Sequence, residues 1–331
     1  MAGSIEVFLL GDIGATNARF ALLSEGAVGP ITRIEVARYA HFADAVADLL
    51  DQQFRDACIS RALIAVAGPV EGDRCALTNL SWVIDARDIC ERFNFASARI
   101  VNDFEAAAHS LPHLGKEDVR SLGTKGLRLS APMAVLGPGS GLGVAGLVPD
   151  RGRWLVVPSE GGHATLSANS NREDMVLDYL RQRYTHVSAE RVLSGPGLEN
   201  LYDAIAGVDD IDAPRRNASE ITRSALEGTC PTARAALDMF CAMLGGFAGN
   251  VALTFGAQGG IYIAGGIAPR IVDCLIASQF RSRFEQKGRF CRYLESVPTQ
   301  VIMHPWATFL GLRSIVVSDP LMKAALQTPS A

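Results

Sequence analysis

Apolar residues in this chain gather first in short runs broken by glycine and polar turns, and only farther along at helical spacing. Residues 5–11 and 18–24 predict two strands around the turn GDIGATN at 11–17, and 31–39 predict a third. From 43 to 55 the pattern changes, with Ala45, Leu49, Leu50 and Phe54 on one face of a helix. Residues 62–68 predict a buried strand closed by Gly-Pro, 98–101 a short strand, and 104–111 a helix stopped by Pro112. A second, similar beginning follows at 133. Residues 133–137 and 144–148 predict strands around GPGSGLG at 137–143, and a turn at 149–152 leads into 154–158. Helical spacing marks 173–184, 197–206, 217–227 and 232–256, then a buried strand at 261–266 ending in a glycine pair, and helices at 268–277 and 306–317. The tail beyond Asp319 is expected to fray. This alternation of strands and helices indicates an α/β chain whose two halves each open on a strand–glycine turn–strand unit.

The bulk properties narrow the function classes. The length of 331 residues fits two domains, and 48% apolar with 20% charged residues is ordinary for a soluble globular chain. A net charge of −4 points to no nucleic-acid or anionic-membrane partner. Seven scattered cysteines contain no Cys-x-x-Cys pair, so free thiols in a reducing cytoplasm are expected, without a zinc site or disulfide framework. The start, MAGSIEVFLLGD, lacks a basic region and carries Glu6, which favours a first strand over a signal peptide. The charge-free stretches 239–269 and 129–149 are long enough for a membrane span. Glycines, Asn250 and Gln258 in the first, and Pro132 and Pro138 in the second, favour a buried helix and buried strands.

Candidate chemistry lies at the turns. Gly141-Leu-Gly143-Val-Ala-Gly146 matches G-x-G-x-x-G, with Glu160 near the spacing of a ribose-binding acid. That fingerprint must open a helix, whereas here it opens a strand pattern. In GDIGATN, Gly14 lets the backbone approach a ligand, successive N–H groups can form an anion site, and Thr16 and Asn17 add donors. Asp12 would repel a bare phosphate but suits one carrying Mg²⁺; a plain hairpin is the alternative. Four glycines and a serine in GPGSGLG exceed what a plain hairpin needs, and two such turns could grip one triphosphate. In IVNDFEAAAH, Asn102 and Asp103 fall at a strand end, where open α/β sheets bind ligands. Asn102 with Glu105 also imitates a capping box, but a cap needs one side chain, which leaves a carboxylate able to take a proton from a hydroxyl. In PSEGGHATLS, Glu160 and His163 can converge on a polyhydroxyl ligand, or form an ordinary surface loop. In SAERVLSGPG, Glu190 reads as lying just inside a helix start, where an acid also suits the helix dipole. Gly265-Gly266 admits a flat group such as a base, or simply a tight turn.

Taken together, DIGATNAR, NDF, GPGSGLG, SEGGH, SAERVLSGPG and AGGIAPR occur in the order found in bacterial glucokinases, of the hexokinase/actin-like ATPase superfamily. The resemblance runs from about Val7 to Gly311. The related ROK sugar kinases usually carry a Cys-rich zinc motif, absent here, and the start leaves no room for the helix-turn-helix of ROK repressors. The resemblance implies an α/β fold of two ribonuclease-H-like (actin/hexokinase-type) domains flanking a central cleft, 1–113 plus 305–331 and 114–304. It implies Asp103 as general base and Asn102, Asp103, Glu160, His163 and Glu190 as sugar ligands. Gly11, Asp12, Ile13, Gly14, Ala15, Thr16 and Asn17 resemble the first phosphate loop, and Gly139, Ser140 and Gly141 the second, where the family varies around Pro138 and Ser140. Gly265 and Gly266 resemble part of the adenosine pocket. The implied reaction is ATP + D-glucose → ADP + glucose 6-phosphate, feeding glycolysis, with Mg²⁺ held by Asp12 through water. A cytoplasmic homodimer with no membrane partner is expected. A kinase for mannose or N-acetylglucosamine, or a sugar-sensing protein without turnover, are the alternatives.

Overall fold

The computed structural model describes residues 6–77, 82–123 and 130–318. Residue 5 and the tail from 319 therefore lie outside the described residues. The chain divides into two compact units, Met1–His113 with Pro305–Ala331, and Leu114–His304.

The first unit contains β1 (Val7–Ile13), β2 (Asn17–Ser24), β3 (Ala27–Val28), β4 (Thr32–Glu35), α1 (Phe42–Gln53), β5 (Ile59–Val66), β6 (Arg74–Ala76), β7 (Val83–Asp85), α2 (Ala86–Phe93), β8 (Ser97–Asn102), α3 (Asp103–Ser110) and a last helix, Ala307–Ser318. Its main sheet runs β3-β2-β1-β5-β8, with β4 also pairing with β2. β1 is antiparallel to β2 and parallel to β5, which is parallel to β8. Successive side chains on β1 and β5 face opposite cores. Leu9, Ile13, Ala62 and Ile64 pack with Phe42, Leu49 and Trp82, while Phe8, Leu10, Leu63 and Ala65 pack with Phe309, Leu312 and Ile315 of the last helix. Burial on both faces is why these strands read as unbroken apolar runs. The register sets Ile13 beside Val66 and Val66 beside Asn102, so three strands end together at one carboxyl edge. The last helix lies close against α3: a methyl on Gly311 would come within 1.7 Å of the Ala106 carbonyl oxygen.

The second unit contains β9 (Val119–Ser121), β10 (Met133–Pro138), β11 (Leu142–Asp150), β12 (Arg153–Ser159), α4 (Asn171–Arg181), α5 (Gly195–Val208), α6 (Ala218–Leu226), α7 (Pro231–Phe255), β13 (Gly260–Ile263), α8 (Val272–Ala277), α9 (Phe280–Glu285), α10 (Cys291–Glu295) and β14 (Thr299–Ile302). Its sheet runs β12-β11-β10-β13-β14-β9. β10 is antiparallel to β11 and parallel to β13, and β13 is parallel to β14. α7 is long and apolar enough to cross a membrane by length and composition, but 78% of its most apolar window is buried within the protein. Leu237, Phe240, Leu244 and Ala248 of α7 belong to one core with Leu136, Val144 and Ile263 of the sheet.

Three readings from sequence change. The third strand is only Thr32–Glu35: after a last bond from the Val36 N–H to the Thr16 carbonyl at 3.1 Å, the Tyr39 N–H turns back to the Val36 carbonyl at 3.1 Å and closes a 3₁₀ turn, Val36–Arg38. The helix at 268–277 is a 3₁₀ turn, Ala268–Ile271, running into α8. Glu190 is not in a first helical turn: α5 starts at Gly195, capped by Ser194, whose Oγ accepts the Gly197 N–H at 3.0 Å.

Candidate functional site

In the first unit, the β1–β2 turn is closed by the Gly14 N–H donating to the Asn17 carbonyl at 3.1 Å. It is held at its rim by the Val36–Thr16 bond and by Arg33 Nε donating to Asn17 Oδ1 at 2.8 Å. Asp12 and Arg19 face each other across the ladder in an ion pair of 3.0 Å, and the Arg19 guanidinium sits 6.0 Å from the Trp306 ring. Burial raises the Asp12 carboxyl above its ordinary value, and Arg19 opposes that shift. Arg19 donates to Asp12 Oδ2, and among the described residues Oδ1 has no bond of its own to match it, so it could accept from a metal-bound water. Among the described residues no group of three His, Cys, Asp or Glu side chains gathers to hold a metal. A lone carboxylate of this kind is chemically compatible with a hydrated divalent cation.

Asn102 and Asp103 stand at the same carboxyl edge. Asn102 caps α3, its Oδ1 accepting the Phe104 N–H at 2.8 Å while its Nδ2 donates to the Gly68 carbonyl at 3.0 Å. Ala67, one residue away, donates its N–H to the Ile13 carbonyl at 3.1 Å, so residues 67 and 68 join the turn's strand to the cap. Asn102 thus has two structural partners, and one amide hydrogen is left for a ligand. Asp103 is the first residue of α3, half-buried, with Oδ1 2.9 Å from the Phe104 nitrogen. Burial pushes the Cys75 thiol up, and the neighbouring Asp103 charge adds to that. Burial also raises the Glu105 carboxyl, against Arg99, whose Nη2 lies 3.1 Å away, and against the Asn102 N–H it receives.

In the second unit the candidates form one network. The β10–β11 turn is closed by the Gly139 N–H donating to the Gly141 carbonyl at 2.8 Å. The Gly195 N–H, at the start of α5, donates to the Gly139 carbonyl at 2.8 Å. Glu190 links this turn to SEGGH: its Oε2 accepts the Leu142 N–H at 2.9 Å, and its own N–H donates to the Gly162 carbonyl at 2.9 Å. His163 lies between two carboxylates, Nδ1 3.9 Å from Glu190 Oε1 and Nε2 3.9 Å from Glu160 Oε2. The side chains of Glu160, His163 and Glu190 are 71%, 59% and 32% exposed, so they converge while remaining open to a ligand. Gly162 permits this, since a methyl there would lie 1.8 Å from the Leu142 carbonyl oxygen.

Gly265 has φ +82°, and a methyl on it would lie 2.4 Å from the Pro138 carbonyl oxygen, so only glycine fits against the end of β10. Nearby lies a cavity of about 500 Å³, lined by Gly139, Gly195, Leu198, Ser219, Thr222 and Ile267 among others. That volume is in the range of small-molecule sites. The α6 residues and Arg270 in its wall were not found from sequence. The capping box Asn217–Glu220 marks a helix start there, but nothing in its pattern points to a ligand. The G-x-G-x-x-G match lies in the turn and in β11, as its strand pattern indicated.

A family model described as Glucokinase matches residues 9–318 of this chain. A glucokinase of Nitrobacter hamburgensis is 43% identical over 307 residues, covering 93% of this chain and 96% of the relative. A glucokinase of Paramagnetospirillum magneticum is 42% identical over 318 residues, covering 95% and 98%. The crystal structure of a glucokinase from an Antarctic psychrotroph superposes with a TM-score of 0.85 at 34% identity, covering 95% of this chain and 99% of that one.

Proposed function

Because the chain belongs to the glucokinase family and is an ATP-dependent hexose kinase, we propose that its turns, its polar trio and Asp103 divide the work of phosphorylating D-glucose. The observation that carries this reading is the 2.9 Å bond from the Leu142 N–H to Glu190. It ties a glycine-rich turn to a set of polar side chains suited to sugar hydroxyls.

Phosphoryl transfer asks the protein for alignment, neutralisation of phosphate charge and a proton acceptor rather than covalent chemistry. Glu160, His163 and Glu190 would accept from and donate to the hydroxyls of glucose, fixing its 6-hydroxyl. The remaining amide hydrogen of Asn102 would add one further contact. Asp103 would orient the 6-hydroxyl and accept its proton as the new oxygen–phosphorus bond forms. An aspartate at its ordinary pKa is ionised at neutral pH, so the role needs no upward shift. The backbone of residues 11–17 and 139–141 would carry the ATP phosphates, and the cavity beside Gly265 and Gly266 the adenosine. Mg²⁺, when bound, supplies positive charge to the phosphate oxygens, and Asp12 would hold it through water. Hydrolysis is avoided only if water is kept from the phosphate, so sugar binding is expected to exclude it. We read both sheets as ribonuclease-H-like, supported by their shared strand order. The same premise supports a glycolytic role in the cytoplasm.

The test is glucose-dependent ADP release by the purified protein with Mg²⁺-ATP. Glucose should raise ADP release far above the background in its absence, with mannose and N-acetylglucosamine poorer acceptors. Absence of glucose-dependent release would refute the proposal.

A further inference from the structure

We propose that the second unit binds a phosphate monoester of a small hydroxylated metabolite in a separate cavity formed by α4, α5 and the segment leading into α6. This cavity, of about 600 Å³, is lined by Arg183, Glu199, Asp203, Arg215, Arg216 and Asn217, with Asn200 behind. None of these residues has a part in the kinase site.

Three arginines meet here, and their charges are unevenly answered. Arg183 has Asp203 at 3.6 Å, an open ion pair with both side chains about two-fifths exposed. Arg215 is exposed and, among the described residues, has neither a hydrogen-bond nor an ion-pair partner. Arg216 is half-buried, with its Nη1 donating at 3.0 Å to the Ser224 hydroxyl and its guanidinium acting on the Tyr202 hydroxyl, and among the described residues no carboxylate pairs with it. The charge of exposed Arg215, which no acid answers among the described residues, is what an anion in this cavity would complement. Two adjacent arginines, with planar donor forks, suit phosphate better than a diffuse cloud of chloride.

The carboxylates select among anions. Glu199 Oε1 accepts the Ala218 N–H at 2.9 Å, which leaves Oε2 facing a polar cavity. Asp203 is held only at long range by Arg183. A bare phosphate gains nothing from them, whereas hydroxyl groups can donate to both. The cavity thus pairs cations for a phosphate with acceptors for hydroxyls. It also adjoins the cavity beside Gly265, because Leu198 and Ala218 line that one while their neighbours Glu199 and Asn217 line this one. Occupancy here is therefore expected to alter ATP affinity through the Glu199–Ala218 bond.

Calorimetric titration at low ionic strength, with glycerol 3-phosphate and with inorganic phosphate, tests this in the full chain. The parent should bind the ester more tightly than inorganic phosphate. Arg215→Glu, at an exposed and unpaired position, should keep the parent's Tm and bind the ester at least about tenfold more weakly. The ester should also shift the ATP KM of the parent but not that of Arg215→Glu. Equal ester affinity in parent and variant, or no binding, would overturn the site. Inorganic phosphate bound as tightly as the ester would overturn the hydroxylated ligand. Because binding is read directly, the result stands whatever the glucose assay shows.

Discussion

The two units build their sheets in the same order but tether their turns differently. In the first, the β1–β2 turn is fixed by its own neighbours, with Thr16 tied to Val36, Asn17 to Arg33 and Asp12 to Arg19. In the second, the β10–β11 turn is fixed by Glu190, proposed to hold the sugar, on Leu142 and by Gly195, at the start of α5, on Gly139. The first unit therefore presents a self-supporting turn beside a helix whose first residue is Asp103. The second couples the proposed nucleotide and sugar contacts through one carboxylate. A change in the first unit's Asp103 should act on turnover, and a change in the second unit's network on both substrates' KM.

The largest effect expected is from Asp103→Ala. Turnover should fall by about 10²–10⁴-fold, the usual worth of a positioned base, with ATP binding retained in a direct titration. Turnover near that of the parent would remove Asp103 from this role. Next come two glycines, one in each unit. Gly311→Ala sets a methyl 1.7 Å from the Ala106 carbonyl oxygen, and thermal unfolding should reveal a loss of about 3 kcal/mol. Gly162→Ala, with its 1.8 Å clash on Leu142, should disturb the Glu190 network and raise glucose and ATP KM together. A rise in only one of them would break the proposed coupling. Glu160→Gln should be milder, raising glucose KM by roughly tenfold with turnover little changed, since one charged hydrogen bond is weakened. A KM equal to the parent's would make SEGGH a plain loop.

The smallest effect concerns pH. Burial, with Arg99 and His113 nearby, lowers the His109 pKa from 6.5 to about 4, on the same helix as Asp103. A His depressed in the folded state is protonated more readily when unfolded. Stability should therefore be full above pH 6.5 and fall as pH drops toward about 4, by on the order of 3 kcal/mol. Denaturant titrations of the parent should show that slope, and His109→Gln should flatten it.

Much of this was legible in the chain. The two strand–turn–strand units, α3 starting at a strand end and the long buried α7 follow from apolar runs, glycine turns and helical spacing. Asn102 read as both cap and ligand, and the fold gives it the cap. Glu190 was misplaced because Ser188-Ala-Glu190 looks like a helix start, whereas the capping serine is Ser194, followed by Pro196 in the first turn. β6, β7, α2, β9, α9, α10 and β14 were not read. Most are three to six residues long, too short for a period to emerge, and their burial is set by partners distant in sequence. The α6 wall of the cavity beside Gly265 is hidden in the sequence because only the fold brings Thr222 near Gly139 and Ile267.

The most direct test measures glucose-dependent ADP release across a glucose titration for Asp103→Asn and Glu190→Gln side by side. The two variants should split. Asp103→Asn should lose turnover by at least about 10²-fold at a glucose KM near the parent's, while Glu190→Gln should raise glucose KM roughly tenfold with much of its turnover kept. The reverse pattern, or parent-like kinetics in both, would contradict it.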